Sequence, residues 1–204
     1  MTYRYEATSI TGFVQQLAVA YLAHGYWFHV VGRIPSGKDP RAIDAKLLAR
    51  YGVACSRCAR TRRKQAGLAN VQYLRCGRFF VLLASHGQHR LFEDEAACLR
   101  DARRSPIRFA GYAISHRGGH PHVRIDLEVY RDLKRRLVAR ALLRTSDHLV
   151  ADFQALPFEP YAPVRRQLLN LLRAVNKRRK LAALPPVPIE AIRLRRRIVR
   201  PFEP

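Results

Sequence analysis

Acidic side chains are scarce in this sequence: Asp and Glu number 15 against 38 Lys and Arg in 204 residues, a formal net charge of +23. That scarcity counts against a two-metal nuclease, whose cations need several carboxylates. Lysine is also rare, standing only at positions 38, 46, 64, 134, 177 and 180, so the positive charge is overwhelmingly arginine. Long apolar runs are missing, and none approaches the roughly 18 residues of a membrane-spanning helix. The opening Met1-Thr-Tyr-Arg-Tyr-Glu6 lacks the basic-then-apolar order of a secretory signal. Cysteine occurs only at 55, 58, 76 and 98, which is no disulfide framework, so free thiols and a cytoplasmic setting are expected. There is no nucleotidase-type phosphate loop, since Ser36-Gly37-Lys38 lacks the glycine spacing.

Apolar residues make up 48% of the chain, enough for one sizeable core and too many for a disordered basic tail. A sequence pI near 11.2 points to a polyanionic partner, of which nucleic acid is the commonest. Arginine presents a planar fork of donors that suits phosphate oxygens and stacks on bases.

Thr8 and Ser9 cap an amphipathic helix with Ile10, Phe13, Val14, Leu17, Ala18, Tyr21 and Leu22 on one stripe, ended by Gly25. Residues 26–31 read as a buried strand, and Asp39-Pro40 opens a second helix reaching Tyr51. Val71–Leu74 and Arg78–Ala84 read as further strands. Arg78-Phe-Phe-Val-Leu-Leu-Ala-Ser-His86 parallels Arg108-Phe-Ala-Gly-Tyr-Ala-Ile-Ser-His116, and each is followed by a Gly-bearing turn and a second His. This predicts a duplicated strand–turn–strand–helix unit over 78–104 and 108–135. Two such hairpins pairing in one antiparallel sheet, with helices on one face, give an α+β fold that resembles a ferredoxin-like sandwich. Its other face would be free for a ligand. The expected organisation is a core over 1–156 with an N-terminal helix, then a Pro-linked basic helical arm over 157–204.

The cations cluster. Five of the nine residues from Ser56 to Lys64 are basic (Arg57, Arg60, Arg62, Arg63 and Lys64), on an exposed loop or helix end. Residues 160–204 carry twelve Lys or Arg against Glu190 and Glu203. A solvated helix normally mixes its signs. The expected phosphate contacts there are Arg165, Arg166, Arg173, Lys177, Arg178, Arg179 and Lys180, followed by Arg193, Arg195, Arg196, Arg197 and Arg200. Such a surface binds strongly, tolerates sequence change and responds to salt. The partner is expected to be RNA or DNA, RNA or a ribonucleoprotein being favoured, with other proteins of such a complex as further partners and no membrane.

Catalytic patterns are few. Cys55-Ser-Arg-Cys58 has zinc-knuckle spacing but no second cysteine pair, so ordinary thiols and no metal or other cofactor are expected. Glu93-Asp94-Glu95 reads as a helix start. On a predicted strand, alternation places His120, His122 and Arg124 on one face. This His-Pro-His pair, with Tyr130 following, resembles the metal-binding pair and attacking tyrosine of the HUH single-strand DNA nucleases and transposases. The resemblance implies a second reading: His120 and His122 hold a divalent cation and Tyr130 attacks a phosphate, with Asp126 and Glu128 nearby. The primary reading is non-enzymatic nucleic-acid binding through the phosphate backbone.

Overall fold

In the computed structural model, which describes residues 3–203, Ser9 caps helix α1 (Ile10–Gln15) by accepting a hydrogen bond from the Gly12 N–H. The same apolar stripe runs on through a π-helical stretch, Gln16–Tyr21, and a closing 3-10 turn, Leu22–His24. Gly25 ends it at φ 87°, a left-handed conformation open to glycine. The chain then enters β1 (Phe28–Arg33). Asp39 caps α2 (Pro40–Arg50), Pro40 sitting in the first turn where its missing N–H costs nothing. The basic stretch after it is a full helix, α3 (Arg57–Gln65), begun by Ser56, whose side chain accepts from the Ala59 N–H. None of its residues is buried, so no apolar period marked it in the sequence.

Strands β2 (Val71–Cys76) and β3 (Phe79–Ala84) form a hairpin. Then come the single turn α4 (Leu91–Asp94) and a two-residue edge strand, β4 (Arg100–Asp101). The sheet order is β2-β3-β1-β4, with every neighbouring pair antiparallel. One face carries Val30, Leu82 and Tyr73, which pack with Tyr51, Val53 and Leu91 in a single core. The alternate residues Leu74, Val81 and Leu83 are also buried, and Phe13 of α1 meets Phe79 edge-on. The expected free sheet face is therefore covered, because the N-terminal helix is apolar enough to occupy it.

A second sheet has the order β5-β6-β7, from β5 (Ile107–Phe109), β6 (Tyr112–Arg117) and β7 (His120–Ile125). The remaining helices are α5 (Leu127–Arg140), α6 (Ser146–Gln154) and α7 (Ala162–Leu181), of which α5 and α7 pack together. The fold is thus α+β with two antiparallel sheets, where the sequence led to one. The two similar segments also diverge. After β7 the chain forms a long helix. After β3 there is no second hairpin strand, because Gln88 bridges to Leu68 and His89 Nδ1 accepts from the Leu91 N–H to start the short α4.

By contact density the chain divides into two units, the first 3–107, 114–122 and 199–203, the second 108–113 and 123–198. This division does not follow the expected 156/157 boundary. Residues 157–198 are no free arm. Phe158, Glu159 and Pro160 are buried, and α7 sinks Val164, Leu168, Leu171, Leu172 and Val175 into the second unit. Residues 199–203 return to the first unit, where Gln15 bonds Val199 in both directions and Thr8 Oγ1 donates to the Glu203 carbonyl. No helix among the described residues is long and apolar enough to cross a membrane.

Candidate nucleic-acid interface

Helix α3 turns one face, Arg57, Arg60, Thr61 and Lys64, toward a cleft of about 390 Å³ in the first unit. These positions recur every three to four residues, so one side of a helix carries them all. The segment after the π-helical stretch supplies His24, Gly25, Tyr26 and Trp27, and Asn70, Ser85 and His86 complete the wall. None of the described acidic side chains lines it. Arg62 is not among the lining residues. Arg63 braces the preceding turn, donating to the Gly52 carbonyl at 3.1 Å and to Cys55 Sγ at 3.7 Å.

Both histidines sit on constrained backbone. His24 Nδ1 lies 3.1 Å from the Ala20 carbonyl, which leaves Nε2 as the outward nitrogen. The segment behind His86 is pinned by Ser85 N–H to Asn70 O (2.9 Å), Ala69 N–H to Gln88 O (3.0 Å) and Gln88 N–H to Gly67 O (3.0 Å). Gly87 makes this possible at φ 127°, where a Cβ would fall 2.6 Å from Ala69 N. Gly87→Ala is expected to cost about 1–3 kcal/mol in a thermal melt and to weaken ligand binding in the cleft. An unchanged melt would mean the segment is not fixed in this way.

Trp27 is held by Nε1–H to Leu22 O, and the Arg103 guanidinium lies 4.5 Å from its ring centroid. It is no open stacking platform. A second hollow of about 420 Å³ adjoins the cleft through the shared residues His24, Tyr26 and Arg60, and Tyr3, Tyr21 and Gln72 line it. Two buried polar atoms have no hydrogen-bond partner: Arg60 Nε, in the shared wall, and Asn70 Oδ1, in the α3 cleft alone. Buried polar groups are normally satisfied, so such a pair marks a place where something else bonds.

In the second unit, α7 exposes Arg165, Arg166, Arg173, Lys177, Arg178 and Lys180. Arg166, Arg173, Lys177 and Lys180 form a stripe about 21 Å long at 1.5 Å per residue. Among the described residues none of these cations pairs with a carboxylate. The carboxylates are instead spent on other arginines, as in Arg50–Asp94, Arg103–Asp101 and Arg144–Asp152.

Several of the expected contacts also have partners within the chain. Arg179 is 2% exposed, and its guanidinium donates to the carbonyls of Pro185, Ala141 and Arg144. It ties down the chain after α5, where free carbonyls favour a cation. Arg193 and the Arg197 N–H hold the buried Glu159 carboxylate, Arg196 lies over Tyr161, and Arg200 pairs with Glu203. Arg195 is exposed and Arg124 half-buried on β7.

His120 is exposed on β7 and His122 half-buried. Both belong to the first unit, whereas Tyr130 on α5 belongs to the second. Burial raises the Tyr130 hydroxyl above an ordinary phenol, which disfavours the phenolate a nucleophile needs. Among the described residues no three His, Cys, Asp or Glu are grouped to hold a metal ion. Cys55 and Cys58 are free thiols.

The α3 cleft escaped the sequence because its walls come from four separate segments. Its surviving signals were the spacing of Arg57, Arg60 and Lys64 and the glycines directly after His24 and His86. Compared with protein-family models and with curated proteins, the chain matches none.

Proposed function

We propose that this protein binds nucleic acid through its phosphate backbone, in the cytoplasm and as part of an RNA-containing complex. The observation that carries this is a contrast in how the cations are partnered. Many arginines elsewhere pair with a carboxylate, Arg50, Arg75, Arg103 and Arg144 among them, while the α3 face and the α7 stripe present cations with none beside them. Unmatched cations repel one another, and a polyanion relieves that repulsion while releasing its own counterions. The first unit supports a ferredoxin-like reading, since its order is strand, two helices, two strands, a short helix and an edge strand, arranged β2-β3-β1-β4. Because α1 covers one sheet face and α2 the other, recognition in this reading falls to helices and loops.

The test is fluorescence anisotropy with labelled single-stranded RNA, single-stranded DNA and duplex, titrated from about 50 mM salt upward. Affinity should fall linearly on a log–log plot. Removing Arg166, Arg173, Lys177 and Lys180 together should reduce the slope for single strands by about 3, from roughly 0.7 per lost phosphate contact. An unchanged slope would remove α7 from the interface. No binding near 50 mM salt would end the proposal.

A further inference from the structure

A surface that tracks a phosphate backbone is elongated, as the α7 stripe is. The α3 cleft has a different shape. It is a single hollow of about 390 Å³ in which Arg57, Arg60 and Lys64 converge, with His24 and His86 on the walls and the hydroxyls of Thr61 and Ser85 among them. Three fixed positive charges around so small a volume are more than one backbone phosphodiester, with its single charge, can neutralise. A terminal phosphate carries about −1.5 to −2 at neutral pH and three free oxygens, and it suits such a concentration of donors. The adjoining hollow supplies what the rest of a nucleotide needs. Tyr26 is half-buried there and gives aromatic surface beside the Gln72 amide, while the Tyr3 ring stacks on Tyr5 and meets the Arg60 guanidinium. The two unpartnered buried atoms fit the same ligand. Arg60 Nε is a donor suited to a phosphate oxygen, and Asn70 Oδ1 an acceptor suited to a sugar hydroxyl or a base amine.

We infer that these joined hollows take the phosphorylated end of a nucleic-acid strand, its terminal phosphate among Arg57, Arg60 and Lys64 and its base against Tyr26. The inference rests on the nucleic-acid reading and adds a preference for strand ends. The cleft has walls on four segments of chain, so a strand enters it by its end.

The experiment uses the full chain and single strands of about 12 nucleotides in three forms: a 5′-phosphate, a 3′-phosphate, or hydroxyls at both ends. One phosphorylated form should bind about tenfold or more tighter than the hydroxyl form, well above what one added screened charge supplies. Which form wins identifies the strand end. Arg57→Ala with Lys64→Ala, both exposed on α3, should abolish the preference, so that the variant binds the phosphorylated and hydroxyl forms alike. Thr61→Glu, which puts a carboxylate into the cleft, should abolish it too. Equal binding of all three forms overturns the end site and leaves backbone binding standing. A preference that survives both variants places the end elsewhere and overturns the assignment to this cleft. Failure of every form to bind near 50 mM salt overturns both readings together.

Discussion

Asp44→Ala is expected to destabilise the folded protein by about 3–5 kcal/mol, read as a lowered urea midpoint with an unchanged slope. Asp44 lies on α2 with its side chain fully buried, and its carboxylate accepts from Tyr73 at 2.6 Å and from Arg75 Nε at 2.9 and 3.0 Å. Arg75 is itself buried, and it spends its remaining donors on Glu6 and on the Gly77 carbonyl. Removing the carboxylate strands a buried guanidinium and a buried phenol at once. The penalty is therefore that of an unpaired charge, larger than the net worth of the pair. Burial, reinforced by the Asp44 carboxylate, raises the Tyr73 hydroxyl far above an ordinary phenol, so it remains a donor at any working pH. Two further variants separate charge from packing. Asp44→Asn keeps an acceptor for Tyr73 and should cost less than Ala. Asp44→Leu combined with Arg75→Met removes both charges and should also cost less than Asp44→Ala alone. A loss below about 1 kcal/mol in Asp44→Ala would show that water reaches this site.

Acid should weaken the same unit through a different residue. His29 on β1 is 3% exposed, and burial lowers its pKa to about 4, with Arg100 adding to the effect and the Trp27 backbone and Asp101 opposing it. The sign follows from which state takes up the proton. Above pH about 6.5 the imidazole is neutral both folded and unfolded, and His29 has no effect. Between about 6.5 and 4 the unfolded chain is protonated while the folded one is not, so stability falls as pH drops. The loss approaches about 3 kcal/mol at pH 4, at 1.36 kcal/mol per pK unit. Carboxylates that lose their arginine partners add to acid sensitivity at lower pH, Asp101 among them, since hydrogen bonds from Arg103 hold it below the usual range. The comparison with His29→Leu isolates the imidazole. The variant should lose less stability than the natural protein between pH 7 and 4.5, and parallel losses would rule His29 out.

Much of the fold could be read where one element supplies its own pattern. The α1 stripe, the Asp39-Pro40 helix start, the β2–β3 hairpin and the apolar face of α7 all follow from periodicity and caps. What could not be read depends on distant partners or on burial of charge. Helix α3 has no apolar face to betray it and rests on its Ser56 cap. Arg179 looks like any other cation in an Arg-rich run until three carbonyls are found around it. Asp44 looks like a surface acid on a helix. The similarity of 78–86 to 108–116 is real as sequence, yet the chain after β3 bonds back to Leu68 where its counterpart runs straight into a second strand. The His-Pro-His motif carries only the second, enzymatic reading. His24 and His86, each followed by a glycine, are those that face a basic cleft.

The return of residues 199–203 to α1 bears on how the protein is made. Gln15 and Val199 are 184 positions apart, yet the Gln15 amide bonds the Val199 backbone, Thr8 bonds Glu203, and Gly12 has no Cβ because Pro201 lies against it. At about 5–20 residues per second, a ribosome delivers the second half of this contact roughly 10–40 seconds after the first. Helix α1 is thus finished only after residues 199–203 have been made, and its apolar stripe must wait on the growing chain with part of its cover unsynthesised.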